Sequence, residues 1–167
     1  MTAGATFSRD RRYRYRLWRR WDRSRPVVVF CMLNPSTADE RRDDPTIRRC
    51  IGFARDWGYG GLEVVNLFAF RATDPRDLRH VADPVGPQND HHLALAARRA
   101  TLVVTAWGAH ADVRRARRAM QVLSGQRRSL AHLAFTRSRQ PRHPLYLPRT
   151  LLPLGYGIVP LGLPFSV

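Results

Sequence analysis

The sequence predicts an α/β protein: a three-layer α/β/α sandwich around a mostly parallel four-stranded sheet, with an extra N-terminal edge strand. The first observation is the uninterrupted apolar run at residues 27–33, which is rich in β-branched residues and bounded by proline on both sides. Such a run is typical of a strand buried on both faces, as in parallel sheets covered by helices. The second observation is that further apolar runs, at residues 62–70, 102–107 and 130–135, alternate with helical patterns. This alternation favours a parallel sheet with right-handed crossovers.

Residues 11–21 predict the extra strand at the edge of the sheet. Tyr13, Tyr15 and Leu17 alternate there with arginine and tryptophan, and this period of two gives one face that is rich in arginine. An edge strand tolerates such charge because one of its sides remains in water. Arginine interleaved with aromatic residues also suits single-stranded nucleic acid, through phosphate pairing and base stacking. The sequence leaves both interpretations open.

The helices are predicted from capping residues and apolar spacing. Asp44 and Pro45 are typical of an N-cap and a first helical position. Apolar residues then recur at intervals of three and four until Gly58, which predicts the end of this helix. Three further helical patterns follow: a short one that opens at residues 73–75, and two longer ones at residues 88–99 and 111–123.

The length of 167 residues suggests one domain. We assign residues 1–150 to a single α/β domain and leave residues 151–167 unassigned, because this Pro-, Gly- and Leu-rich tail has no clear period. Cys31 and Cys50 lie in apolar settings, which is typical of buried thiols in a reducing compartment. Since there is no signal-peptide core and no apolar run of about 18 residues, we expect a cytoplasmic monomer that does not bind membranes.

The composition indicates the kind of partner. The chain carries 29 basic residues, all of them arginine, against 13 acidic residues, which gives a formal net charge of +16. Codon bias explains arginine in place of lysine, but it does not explain the excess of basic over acidic residues. Because arginine pairs with phosphate through parallel N–H groups, this excess predicts nucleic acid or a nucleotide as the partner. No Cys-x-x-Cys, His-Glu-x-x-His or Gly-x-Gly-x-x-Gly motif occurs, so we expect no metal and no cofactor.

Polar residues of the kind that bind ligands stand where the predicted strands meet their loops. They are residues 34–37, Asn66, residues 107–110 and residues 143–146. Open α/β sheets bind ligands beyond the carboxyl ends of their strands, and in a parallel sheet these ends lie on one rim. We therefore expect the four stretches to converge on one pocket. Asn34 and Asn66 also fit structural roles, and Trp107 also fits core packing.

The order of these motifs resembles the uracil-DNA glycosylase superfamily. Residues 33–36 (Leu-Asn-Pro-Ser) are similar to its first motif, and residues 64–67 (Val-Val-Asn-Leu) are similar to its base-reading strand. Residues 107–111 match its Trp-Gly-x-x-Ala motif, and residues 143–144 match the first half of its His-Pro-Ser-Pro motif. The chain resembles more closely a group of uncharacterised bacterial domains with Leu-Asn-Pro-Ser-Thr-Ala-Asp, Asp-Pro-Thr-Ile, Asn-Leu-Phe-Ala and His-Pro-Leu-Tyr signatures, which carry no assigned activity.

The resemblance implies catalytic roles for Asn34 and His143. His143 would donate a hydrogen bond to the leaving base, an interaction worth about 3–4 kcal/mol in a dry site, and Asn34 would hold the attacking water. Asn66 would pair with the edge of a flipped base. The resemblance further assigns substrate binding to Pro35, Ser36, Thr37, Asn66, Trp107, His110 and Tyr146, and phosphate contacts to Arg137, Arg139 and Arg142.

Two departures from the superfamily pattern leave the activity open. Asn34 stands where the most active members have an acidic residue, and an amide can position water but cannot accept its proton. Asp39, Asp43 or Asp44 could supply the missing base. Residues 145–146 (Leu-Tyr) replace Ser-Pro, which affects the phosphate contact. We therefore expect a glycosylase-like hydrolase, with two alternatives: a non-catalytic nucleic-acid- or nucleotide-binding module of the same fold, or a basic structural protein without a pocket.

Overall fold

The structure, a computed structural model, describes residues 1–126 and 129–156. The strands are β1 (Thr2–Phe7), β2 (Arg14–Arg20), β3 (Val27–Met32), β4 (Gly61–Asn66), β5 (Leu102–Thr105), β6 (Ser129–His132) and β7 (Leu154–Gly155). The helices are α1 (Pro45–Asp56), a 3₁₀ helix (Pro75–His80), α2 (Asn89–Arg99) and α3 (Val113–Ser124). Within the described residues the strands form one seven-stranded mixed sheet, in the order β1-β2-β4-β3-β5-β6-β7.

The strands predicted from the apolar runs form the parallel centre of this sheet, in the order β4-β3-β5-β6. This pairing confirms the α/β class that the alternating sequence pattern predicts. β4 ends at Asn66, although the apolar run continues to residue 70. Leu67 and Ala69, beyond the strand, are fully buried, so the run marks burial and not the length of the strand.

The sheet is wider than the four central strands and one edge strand predicted from the sequence. β1 pairs antiparallel with the outer side of β2, so β2 is an interior strand, and the two-residue β7 pairs with β6. β1 consists largely of small residues without apolar alternation. A Cβ atom on Gly4 would lie 2.2 Å from Cζ2 of Trp18, so glycine is needed for this close approach. β7 lies in the tail that the sequence leaves unassigned, and residues 157–167 of that tail lie outside the described residues.

Helices cover both faces of the sheet. One hydrophobic cluster joins α1 to β3, through residues such as Phe53 and Phe30. The other joins α2 and α3 to the sheet, through residues such as Leu93 and Leu123. Alternate residues of β3 belong to the two clusters, so the clusters lie on opposite faces. No helix in the described parts of the chain is long and apolar enough to cross a membrane.

β2 buries two of its arginines, although Arg16, Trp18 and Arg20 on its predicted arginine-rich face stay partly exposed. Arg14 and Arg19 are each only 2% exposed, because β1 covers the outer edge of β2 and the loop before α1 packs over both side chains. Arg19 binds the carboxylate of Asp43 at 2.7 Å and donates to three backbone carbonyl oxygens. Arg16 pairs with Glu63 on the neighbouring β4.

We expect Asp43→Asn to lower the free energy of unfolding by about 3 kcal/mol, because the change leaves the buried Arg19 guanidinium without its anion. Urea denaturation of the variant and the parent protein measures this difference. Glu40→Gln removes a carboxylate from the exposed pair with Arg11 and is the control, for which we expect almost no change. If the two substitutions lower the free energy of unfolding equally, burial of the ion pair between Arg19 and Asp43 does not contribute to stability.

Candidate functional site

A cavity of about 470 Å³ opens at the carboxyl ends of β3 and β5. The chain leaves β3 toward β4 and leaves β5 toward β6, on the other side, so the direction of winding reverses between β3 and β5. Open α/β sheets bind ligands at such a switch point. The cavity walls come from the loop after β3, the first turn of α1, the turn after β5 and the segment that follows β6.

Asn34 lies just beyond the end of β3, half-buried in the cavity wall. Its side-chain Nδ2 donates to the carbonyl oxygen of Pro35 at 3.0 Å and to that of Ala72 at 2.8 Å. Both amide hydrogens are thereby used, so the side-chain oxygen remains to accept a hydrogen bond from water or a ligand. The Ala72 N–H donates to the Pro35 carbonyl at 2.9 Å, which fixes the loop in this position.

Asp44 brings a carboxylate to the same cavity. It is the N-cap of α1, as the sequence predicts, and its Oδ1 accepts the Ile47 N–H at 2.8 Å. The other two candidate bases are engaged elsewhere: Asp43 binds Arg19, and Asp39 accepts backbone N–H groups of its own loop. Of the three, Asp44 is therefore the one placed to act on a ligand.

A buried tryptophan and a glycine hold the turn after β5. Trp107 donates its indole N–H to Oε1 of Gln140 at 2.7 Å. Gly108 has a positive φ of 82° and donates its N–H to the Pro141 carbonyl at 2.8 Å. A Cβ atom on Gly108 would lie 3.4 Å from Cβ of His143, so glycine permits both the backbone conformation and the close approach. These contacts tie the segment that carries His143 to the end of β5.

His143 is half-buried in the cavity wall. Its Nδ1 accepts the N–H of Leu145 at 3.4 Å, so the neutral ring carries its proton on Nε2. Burial lowers the pKa of His143 below its usual value of 6.5, while the charge of Asp44 acts in the opposite direction. At neutral pH the side chain is therefore an uncharged hydrogen-bond donor within electrostatic range of a carboxylate.

Half of the residues that the sequence assigns to the site line this cavity. They are Asn34, Ser36, Trp107, His110, Arg142 and His143. Pro35, Thr37, Asn66, Arg137, Arg139 and Tyr146 do not line it. Pro35 is buried and its carbonyl serves the loop, whereas Thr37, Arg137 and Arg139 are exposed and Tyr146 is 89% exposed. The roles assigned to these residues remain predictions.

Asn66 lies close to the cavity without reaching its surface. It ends β4 beside Met32, which lines the cavity, but Asn66 is only 1% exposed. Within the described residues, neither its side-chain oxygen nor its nitrogen has a hydrogen-bond partner. Leaving a buried polar group unpaired costs about 1–3 kcal/mol. Asn66 is therefore not one of the residues that line the cavity, and the base-pairing role that the sequence assigns to it remains a prediction.

Several residues of the cavity are not predicted from the sequence. Arg14 reaches it from β2, and Thr46, Thr73 and Thr136 add hydroxyl groups. No local pattern marks Arg14, because its place depends on the pairing of β2 with β4. Thr46 directly follows the Asp-Pro motif that starts α1, so this motif could have placed Thr46 in the first turn of the helix.

The charge balance of the cavity differs from that of a typical metal site. Two arginines, Arg14 and Arg142, and two histidines, His110 and His143, line it together with the single carboxylate of Asp44. The described residues hold no group of three or more His, Cys, Asp or Glu side chains placed to bind a metal ion. The excess of cationic and hydrogen-bond-donating groups favours an anionic ligand.

The fold and the site define an α/β protein with a polar, arginine-lined cavity at the switch point of its sheet. The chain belongs to the family described as "Protein of unknown function (DUF1643)", whose model matches residues 14–145 and so spans every residue that lines the cavity. This match confirms membership of an uncharacterised family, while the likeness to uracil-DNA glycosylases stays a prediction. No curated protein and no solved structure matches the chain.

We expect a ¹H–¹⁵N NMR titration to give His143 a pKa below 6.5, and Asp44→Asn to lower that pKa further. The substitution removes the charge that raises the pKa, while asparagine still caps a helix well. The pKa of His143 is lower in the folded protein than in the unfolded chain. Its contribution to the free energy of unfolding is therefore fully present above about pH 6.5 and decreases as the pH falls below that value.

His132 is the control for this titration, because burial alone lowers its pKa. Its pKa should not change in Asp44→Asn. An unchanged pKa of His143 in that variant would mean that the Asp44 carboxylate is not near the imidazole.

Proposed function

We propose that this protein binds a nucleobase in the cavity and cleaves the bond between the base and its sugar, as a glycosylase-like hydrolase acting on nucleic acid or a nucleotide. The observation that carries the proposal is that Asn34, Asp44 and His143 line one cavity. Hydrolysis of this bond needs a group that positions water, a base for its proton and a donor for the leaving group. Asn34 is suited to positioning the water, Asp44 to accepting its proton and His143 to donating a hydrogen bond to the leaving base.

Asp44 supports hydrolysis because its carboxylate can accept a proton, which the amide of Asn34 cannot. The Asn34 oxygen accepts one hydrogen of a water molecule, and Asp44 takes the other proton as the water oxygen attacks the anomeric carbon of the sugar. One carboxylate oxygen of Asp44 is fixed by the Ile47 N–H, so the side chain is oriented and the second oxygen remains for the proton. General-base catalysis of this kind contributes about 100- to 10,000-fold in rate.

His143 supports departure of the base because it is an uncharged donor. As the bond between base and sugar breaks, its electron pair leaves with the base, and negative charge collects on a base oxygen. The Nε2–H group donates a hydrogen bond to that oxygen, while the backbone N–H of Leu145 keeps the proton off Nδ1. Stabilisation of the developing charge in a site shielded from water is worth about 3–4 kcal/mol.

The remaining walls of the cavity suit recognition of a base. Its volume of about 470 Å³ is in the range of small-molecule sites. The hydroxyl groups of Ser36, Thr46 and Thr73 can each donate to or accept from a base edge, whereas the Thr136 hydroxyl already bonds Ser138 and the Gln140 N–H. The sequence assigned the contact with the base edge to Asn66. Because Asn66 is buried, we propose that the hydroxyl groups of Ser36, Thr46 and Thr73 make that contact instead.

A non-catalytic module that binds a base or nucleotide is the second candidate. Asn34 favours it, because the acidic residue of the superfamily motif is absent at this position. The arginine excess also serves binding without chemistry. Such a module binds ligand but releases no base, and His143→Ala then weakens binding alone.

We expect Asp44→Asn to lower the rate of base release at least about 100-fold while nucleic-acid binding is retained, because the variant keeps the helix cap but loses the proton acceptor. The measurement is single-turnover release of free base from oligonucleotides that contain uracil, hypoxanthine or alkylated bases.

The matched control is Asp112→Asn. Asp112 caps α3 with the same Oδ1 bond, to the Arg115 N–H at 2.8 Å, but it does not line the cavity. We expect this variant to release base at the parental rate. No release from any of the substrates by the parent protein would favour the binding module over the hydrolase.

A further inference from the structure

Arg14 and Arg19 are buried to the same extent on the same strand, but only Arg19 has an ionic partner. Arg19 binds the carboxylate of Asp43 at 2.7 Å, whereas Arg14 forms no ion pair with any of the described residues. An unpaired buried charge is costly. An ionisable group that is buried without a partner and lines a cleft is a candidate for a functional site, where a ligand supplies the missing partner.

The Arg14 guanidinium has unused donors at the cavity. Its Nη1 donates to the Ala38 carbonyl at 2.7 Å, and its Nε is buried without a partner among the described residues, whereas its Nη2 is not fully buried and forms no hydrogen bond with those residues. A guanidinium offers five N–H groups in a planar fork that fits phosphate in two places. Because Arg14 lines the same cavity as Asn34 and His143, a ligand bound there can reach Nη2, the guanidinium nitrogen that is neither paired nor fully buried.

The charged groups around Arg14 do not neutralise the positive charge of its guanidinium. Asp44 and Asp39 attract its charge and Arg71 and Arg19 repel it, while burial is the largest effect and lowers the pKa of Arg14 to about 10. Arg14 therefore stays protonated at neutral pH. Asp44 is the acidic residue among the described residues that line the cavity, and it forms no ion pair with Arg14.

The first turn of α1 also lies at the cavity, with the Asp44 carboxylate as its cap. Asp44, Thr46 and Ile47 line it, so the amino end of this twelve-residue helix lies at the cavity wall. Backbone dipoles give the amino end of a helix a partial positive charge that favours anions. The Asp44 carboxylate already caps this end of α1 and offsets that partial charge, so the case for a bound anion depends on the unpaired guanidinium of Arg14.

We propose that Arg14 binds the phosphate group of a nucleotide in the cavity, so that the ligand is a phosphate ester of a nucleoside and not a free nucleoside. This inference rests on the proposed function, which puts the base in this cavity, and it adds the residue that binds the phosphate. The phosphate belongs either to a free nucleotide or to the backbone beside a flipped base. The fork of Arg14 fits both in the same way.

Calorimetric titration tests the proposal with the four common nucleosides, their 5′-monophosphates and inorganic phosphate. For the parent protein we expect a monophosphate to bind at least about tenfold more tightly than its nucleoside, and phosphate to compete with it. Arg14→Gln should weaken binding of the monophosphate by about 10- to 100-fold, which is the loss of charged hydrogen bonds. It should leave nucleoside binding unchanged.

Arg114→Gln is the matched control. It removes the same charge from an exposed position on α3 that does not line the cavity, and it should not change the affinity. Arg14→Lys keeps the charge but loses the fork, so we expect an intermediate loss. If Arg14→Gln does not fold, the lysine variant and the preference of the parent protein for monophosphate over nucleoside decide the question. Equal binding of nucleoside and monophosphate, or equal effects of Arg14→Gln and Arg114→Gln, would overturn the proposal.

A single-stranded oligonucleotide, titrated in parallel, separates the two sources of phosphate. Binding that depends on Arg14 supports the proposal with either ligand, and the ligand that shows it identifies the source. The results also separate phosphate binding by Arg14 from the proposed hydrolase activity. Base release that depends on Asp44, without phosphate binding that depends on Arg14, overturns this inference alone. Nucleotide binding that depends on Arg14, without base release, overturns the hydrolase alone.

Discussion

The parallel pairing of β3 with both β4 and β5 is the constraint on which the rest of the structure depends. Its register sets Met32 beside Asn66 and Cys31 beside Thr105, so the carboxyl ends of three strands lie at one edge of the sheet. The chain then leaves β3 and β5 toward opposite sides, the loops diverge, and a cavity opens between them. Since β3 is apolar throughout, the polar groups of the site come from its flanking loops, a helix start and β2.

Burial gives the same residue type two different functions on β2. Arg19 has a carboxylate and backbone carbonyls around it and holds the loop before α1 in place. Arg14 lines a cavity, has one hydrogen bond and no ion pair among the described residues, and in our proposal its partner is a ligand. A composition of 29 arginines indicates a polyanion, but only the pairing state of each guanidinium shows which of them can bind one.

Local signals account for the parts of the fold and site that the sequence predicts. The central strands follow from apolar runs, and the start of α1 follows from Asp44 and its proline. β1 was not predicted, because Gly4 contributes a close approach to Trp18 that exists only after the strands pair. The positions of Arg14 and Asn66 relative to the cavity were not predictable for the same reason: whether a polar side chain on a strand lines a cavity or is buried beside it depends on neighbours distant in sequence.

The central claim is that a nucleotide occupies the cavity at the ends of β3 and β5, and the indole N–H signals of the four tryptophans test it most directly. Trp107 lines this cavity, Trp21 and Trp57 donate to backbone carbonyls elsewhere, and Trp18 lines a separate groove with exposed arginines. During titration with a nucleoside 5′-monophosphate, we expect the ¹H–¹⁵N signal of Trp107 to shift and the other three to stay. A shift of Trp18 with Trp107 unchanged would contradict the claim.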